Sequence, residues 1–181
     1  MDGVGQVEDE HWKFFYSGGE THYGGVGILV RKEVAGAVST WWPVNDRIIY
    51  LKIQGSPINI NIIQVYAPTT DHGDDEVEEF YQKLDEVRAQ AKSHEINIVM
   101  GDLNAKIGEG RRGNLVGAFG LGEGNERGDR WFEWCEVWQQ VVLNTWFRQH
   151  PRFLWTWKSP GDRYRNQIVA GIATMFLWWL Q

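Results

Sequence analysis

At 181 residues the chain has the length of one ordinary domain, long enough to bury a real core and too short for two comfortable ones. Its composition, 43% hydrophobic and 23% charged, is that of a globular protein and excludes a fibrous or disordered one. Eighteen Lys and Arg against 24 Asp and Glu leave a net charge of −6, so no overall field draws the chain to phosphate, and nucleic acid has to be met by a local basic patch or a bound divalent metal.

The first residues, MDGVGQVEDEHW, have neither the basic start nor the apolar stretch of a signal peptide. With a single cysteine, Cys135, that reads as an intracellular protein, nuclear or cytoplasmic, and not a secreted one. No strand is expected before the apolar cluster of Trp12 and Phe14 to Tyr16, which stops at Ser17-Gly18-Gly19. Gly24 to Val30 then reads as a strand whose glycines allow close packing.

Arg47 to Gln54 and Ile58 to Tyr66 are β-rich runs split by Gly55-Ser56-Pro57, a hairpin signature. The second run alternates Ile58, Asn59, Ile60, Asn61, Ile62, which predicts one buried face at first and two later. Pro68 stops the ladder and leaves Tyr66 at the strand end. Asp74 to Glu95 carries Val77, Phe80, Tyr81, Leu84, Val87 and Ala91 at helical spacing, with a solvated acidic face.

Ile96 to Lys106, INIVMGDLNAK, is the stretch around which the chain is organised. A short apolar strand breaks at Gly101 and delivers Asp102 and Asn104 to its end, where ligands of layered α/β sheets gather. A structural turn is an equal reading of Gly-Asp-x-Asn, because Asp and Asn turn backbone readily. Strand, helix, strand from Ile58 to Met100 implies an α/β architecture.

Gly108 to Gly128 holds eight glycines and predicts a long loop beside the site. No phosphate-binding glycine motif opens a helix there. Glu126 to Gln140 places Trp131, Trp134, Cys135 and Trp138 on one helical face, with Cys135 as an inert buried thiol. Val141 to Asn144 and Phe153 to Trp157 read as strands, followed by a polar turn from Lys158 to Arg165. The five histidines show no metal-ligand spacing. Ile168 to Leu180 is apolar but falls short of the ~20 residues of a membrane span, so no membrane is expected.

Taken together, Val65-Tyr66-Ala67-Pro68-Thr69, Gly101-Asp102-Leu103-Asn104-Ala105, Phe119-Gly120-Leu121-Gly122 through Asn125-Glu126-Arg127-Gly128, Asn144-Thr145-Trp146-Phe147, Trp155 to Pro160 and Arg165-Asn166-Gln167-Ile168 resemble the endonuclease/exonuclease/phosphatase superfamily. Within it the chain is similar to the apurinic-type endonuclease domains of RTE-kind retrotransposons and to the domesticated, craniofacial development protein 2-like group. The likeness covers about residues 14 to 168.

That resemblance implies a four-layered α/β sandwich, two β-sheets flanked by helices, and Mg²⁺-dependent nicking of DNA. Asp102 would orient or deprotonate the attacking water, Asn104 would hold the scissile phosphate, and Tyr66 would hydrogen-bond it.

The chain also departs from the family. The Gln-Glu-Thr strand, whose Glu is the family's main metal ligand, is missing, and Glu8, Glu10 and Glu20 lie in the wrong context to replace it. The Asp that follows Arg-Asn-Gln-Ile in the family is Val169 here, and the terminal Ser-Asp-His is absent. The expectation is therefore a partial domain over 1–168, incomplete at both termini, with a divergent apolar tail over 169–181. Its cleavage would be weak or lost, its Mg²⁺ binding impaired, and its exposed sheet edges open to self-association. The rivals are a non-catalytic interaction protein using Trp41, Trp42 and Trp155, and a small-molecule phosphoesterase.

Overall fold

Alternation of apolar and polar residues builds most of the first of two units, Met1–Val99 and Met100–Gln181, in this computed structural model. The structure describes residues 3–19, 24–161 and 163–174. In the first unit β1 (Val4–Glu8), β2 (Trp12–Ser17) and β3 (Val26–Arg31) form an antiparallel sheet in chain order. A short helix α1 (Lys32–Ala35) leads to β4 (Val38–Asn45), β5 (Ile48–Ile53) and β6 (Ile60–Tyr66), which pair as consecutive antiparallel neighbours. The expected hairpin is present, with Ile53 opposite Ile60.

β1 corrects the expectation that no strand precedes Trp12. Gly and acidic residues are poor strand formers, but cross-strand pairing of Val7 with Phe14 and Gly5 with Tyr16 outweighs propensity. The two sheets face each other across a core of Phe15, Val26, Ile28, Val30, Ile49 and Leu51, with Trp41, Ile62 and Tyr66 packed against it. The other face of β5 and β6 is buried as well, through Ile48, Tyr50, Ile63 and Val65.

The amphipathic helix α2 (Asp74–Gln90) buries Val77, Phe80, Tyr81, Leu84 and Val87, as its spacing predicts. It ends at Gln90 rather than Glu95, because Ala91 turns extended and the chain folds Glu95 inward. β7 (Ile96–Asp102) then starts in the first unit beside β6 and runs through the boundary into the second.

Glu95 is only 2% exposed and is held by four hydrogen bonds. Lys52 Nζ donates to both carboxylate oxygens at 2.7 and 2.9 Å, and the amides of Asn59 and Asn61 donate at 2.9 Å each. Asn61 also donates to Asn97 Oδ1 and accepts from the Tyr50 hydroxyl at 2.6 Å. Asn61, Asn97 and Glu95 are thus buried because every polar atom at their centre is partnered. This revises the simple Ile/Asn alternation of β6: Asn61 is fully buried while Ile58 is 38% exposed.

The second unit holds the end of β7, helix α3 (Glu126–Trp138), β8 (Gln140–Val142), the antiparallel pair of two-residue strands β9 (Trp157–Lys158) and β10 (Arg165–Asn166), and β11 (Val169–Thr174). β11 lies between β7 and β8 and pairs antiparallel with β8. The apolar stretch after Ile168 therefore supplies a strand with fully buried Ile172; residues 175–181 of that stretch lie outside the described residues. Phe153–Trp157 is not a strand: Pro151–Phe153 forms a 3₁₀ turn, and only Trp157 begins one. Asn144 likewise falls in a 3₁₀ turn, Leu143–Thr145, after β8. Trp131 and Trp134 stack at 5.1 Å on the buried face of α3, beside buried Cys135, whose thiol burial pushes far up.

The Glu95 carboxyl is held down at about 2, against an ordinary 4.5, first by the Asn59 amide and the Lys52 ammonium, which outweigh the cost of burial. A folded value below the unfolded one stabilises the protein above about pH 4.5, and this is lost as pH falls toward 2. Urea unfolding of Glu95→Ala should show a loss of about 3 kcal/mol at pH 7, the scale of breaking a buried ion pair. The gap between the two proteins should narrow on acidification.

Candidate functional site

The end of β7 is shaped by two backbone requirements. Gly101 is buried with φ +141°, and Asn104 sits in the left-handed region at φ +47°. Asn is one of the few residues with a side chain that takes this conformation cheaply. Between them Asp102 Oδ1 accepts the Asn104 backbone N–H at 2.9 Å, closing a tight turn. The turn anticipated by composition is therefore formed, and it brings Asp102 and Asn104 together while leaving the second carboxylate oxygen outside that bond.

Asp102 is partly buried, and this desolvation raises its carboxyl above the ordinary 3.8, against the opposing effect of the Asn104 N–H. A raised value is what a general base gains in affinity for a proton.

The loop beyond the turn is fastened by Asn125. Its side-chain oxygen accepts from Lys106 N and from Gly128 N at 2.9 Å each, and its own N–H donates to Lys106 O at 3.0 Å. The same residue caps α3 and tethers the strand that leaves the site. Any side chain at Gly128 would meet the Lys106 carbonyl, which explains glycine inside the first turn of a helix. On the other side Leu103 N donates to Ile168 O at 3.0 Å, so residue 169 opens the strand next to β7.

Tyr66 is the last residue of β6, in the first unit. Its ring packs against the core between the two sheets and lies under the guanidinium of Arg47, 5.5 Å from the ring centroid.

Mg²⁺ demands near-octahedral oxygen coordination, anchored by at least one ionised carboxylate and usually two. Among the described residues no three His, Cys, Asp or Glu side chains group in a way that holds a metal. Asp102 stands as one carboxylate that burial biases toward protonation, with one oxygen spent on the turn. Asp102, through the carboxylate oxygen left outside the turn, is the residue at the end of β7 that would contribute to holding such an ion.

A second feature, which the whole-chain charge conceals, lies between Trp146 and Ile168. Arg148, Arg152, Lys158, Arg163 and Arg165 are set against one acid, Asp162. Phe147, Phe153, Trp157 and Tyr164 are 62%, 62%, 40% and 70% exposed among them. Arg165 lies 5.0 Å over Trp155 and Arg152 4.6 Å over Phe153. Residues 100–181 carry a net charge of +2 while residues 1–99 carry −8, so the overall −6 hides a basic second unit. The alternation of Arg and aromatic residues is visible in the sequence, but whole-chain charge conceals it. No helix among the described residues is long and apolar enough to cross a membrane.

Comparison with known proteins adds the ancestry. The model of the endonuclease/exonuclease/phosphatase family matches residues 3–167. Craniofacial development protein 2 of Bos taurus is 38% identical over 167 residues, covering 92% of this chain and 28% of that protein. The same protein of Tragulus javanicus is 36% identical, over 92% of this chain and 29% of its own length. The chain thus spans under a third of the curated relatives it matches.

Among solved structures, the endonuclease domain of TRAS1, a telomere-specific non-LTR retrotransposon, superposes with a TM-score of 0.62 at 18% identity, covering 90% of this chain and 65% of that one. An endonuclease/exonuclease/phosphatase family protein from Leptotrichia buccalis gives 0.59 at 11% identity, over 93% and 61%. The chain has the α/β fold of these proteins, in keeping with the sandwich expected from the resemblance.

Asp102 carries a charge that its surroundings disfavour, so neutralising it should stabilise the fold. Asp102→Asn retains an acceptor for the Asn104 N–H and should raise the Tm at pH 7 by about 2 °C in a calorimetric scan.

Proposed function

We propose, from the premise that the chain belongs to the endonuclease/exonuclease/phosphatase family, that it is a retrotransposon-type DNA endonuclease domain in which phosphodiester cleavage is weak or lost. The observation that supports this reading is the turn at the end of β7, which holds Asp102 and Asn104 together in a chain whose residue 169, opening the neighbouring strand, is Val. Asp102 would accept the proton of the attacking water and the Asn104 amide would donate to the phosphate; a phosphate-binding role for the Tyr66 phenol is proposed from the family resemblance alone. In the family a divalent metal neutralises the charge that develops on the phosphate. Val169 and the residues present at β7 offer no replacement for its carboxylates, so Mg²⁺ binding is impaired.

Plasmid nicking with Mg²⁺ tests the chemistry. The expected result is nicking close to background and a change of less than about threefold in Asp102→Ala, where a working general base is worth ~10²-fold or more. Robust nicking that Asp102→Ala abolishes would overturn the claim of impairment.

DNA remains the proposed partner, and the basic, aromatic segment from Phe147 to Arg165 is the surface that supports it, since cations that neutralise phosphates and rings that stack on bases bind strands together. The double variant Arg163→Ala/Arg165→Ala should weaken duplex binding in fluorescence anisotropy by about tenfold and lower the salt slope by about 2. Binding indifferent to both substitutions would remove this surface from the reading.

A second reading, a non-catalytic interaction module, is favoured by the outer row Val7, Phe14 and Leu29 on the first sheet, of which Val7 and Leu29 are 57% and 56% exposed. Loss of both nicking and DNA binding would promote it.

A further inference from the structure

One cluster of polar side chains in the first unit has no part in the chemistry proposed above. Arg47 lies between β4 and β5 and is fixed at both backbone atoms, its N–H donating to Asn45 Oδ1 at 2.9 Å and its carbonyl accepting from Tyr66 N at 2.9 Å. Its side chain turns to the same residue: one guanidinium nitrogen donates to the Tyr66 carbonyl at 3.4 Å, and the group lies over the phenol ring. The other terminal nitrogen is 3.1 Å from Nε2 of His72.

A guanidinium only donates, so Nε2 must present its lone pair and the imidazole must be neutral, with its proton on Nδ1. Nδ1 lies 2.8 Å from the Thr69 hydroxyl, which is placed to accept that proton's hydrogen bond. Glu76 Oε2 stands 3.8 Å from the same Nε2 on the first turn of α2. Two neighbours therefore ask opposite things of one atom: Arg47 needs an acceptor, and Glu76 favours a protonated donor. Asp46 and Glu79, with Pro68 and Phe80, line a cavity of about 140 Å³ together with Arg47 and Glu76, so further carboxylates stand ready for a guanidinium that leaves Tyr66.

We infer that Arg47 is a positioning residue for Tyr66 and that His72 is a proton-operated latch on Arg47. When neutral, His72 holds the guanidinium on Tyr66. When protonated, it can no longer accept, opposes Arg47 with a like charge, and turns its Nε2–H to Glu76. Tyr66 is then freed from its upper support. That Tyr66 meets a phosphate rests on the endonuclease reading, whereas the latch itself stands on this hydrogen-bond geometry.

Long-range proton–nitrogen NMR of the full chain reads the latch directly, with the His72 signals identified by their loss in His72→Gln. The expected neutral form carries its proton on Nδ1. A neutral form protonated on Nε2 would overturn the latch.

A second arm follows duplex DNA affinity against pH. The wild type should lose about tenfold as His72 gains its proton, the scale of one hydrogen bond to a charged group. His72→Gln, whose amide oxygen accepts at every pH, should lack that step. A correct tautomer with the same pH profile in both proteins would overturn the positioning role, and a chain that binds no DNA at any pH would defeat the endonuclease reading while the NMR arm still judges the latch.

Discussion

A carboxylate almost closed to water, Glu95, is the constraint on which the first unit depends. Ionised and alone at that depth it would be costly; with Lys52 on β5, Asn59 just before β6 and Asn61 within it donating to it, the charge is compensated. The same four bonds join two strands to the residue before β7 and so help to set where β7 begins. Since the side-chain period of a strand is two, a slip of one residue would exchange Asn97 and Val99 for Ile96 and Ile98 on the buried face. The network thereby contributes to which residue arrives at the far end of β7, and that residue is Asp102.

At that far end the balance is reversed. Glu95 has an excess of donors and its proton is held off, while Asp102 has one backbone donor and burial pulls its proton on. Both are acidic residues of one continuous stretch, seven positions apart, and their surroundings push them in opposite directions. The N–H of Asn104 offsets part of the cost of burying Asp102 by fixing the turn at the end of β7.

The central strand, its neighbouring helix and the Asp102–Asn104 turn were legible in the sequence because their signals are local: an apolar run, a helical spacing, a glycine stop. β1 was not, because Val4 to Glu8 becomes a strand only through β2 lying beside it. Burial of Asn61 was hidden for a related reason, since an amide reads as solvent-facing until its partners Glu95, Asn97 and Tyr50, 34 or more and 11 residues away, are in place. Phe153 to Trp157 carried strand composition, yet the Phe153 N–H turns back to His150 O after Pro151 and pre-empts the ladder. The latch on Arg47 was beyond sequence reading altogether, because His72, Thr69 and Glu76 become chemistry only at hydrogen-bond distance.

The start of β11 separates what strand pairing asks of a position from what chemistry would ask of it. What β11 needs from its residues is generic: hydrophobic side chains of suitable size, a backbone free to pair with β8, and Ile168 O in reach of Leu103 N. Many sequences meet those terms, and the apolar run after Ile168 is one. Under the proposed endonuclease reading the same place would call for a carboxylate at one position and orientation, a far narrower demand. Pairing therefore accepts Val169 where that chemistry would not, and the Asp102–Asn104 turn serves the backbone through its left-handed asparagine and its N–H-accepting aspartate.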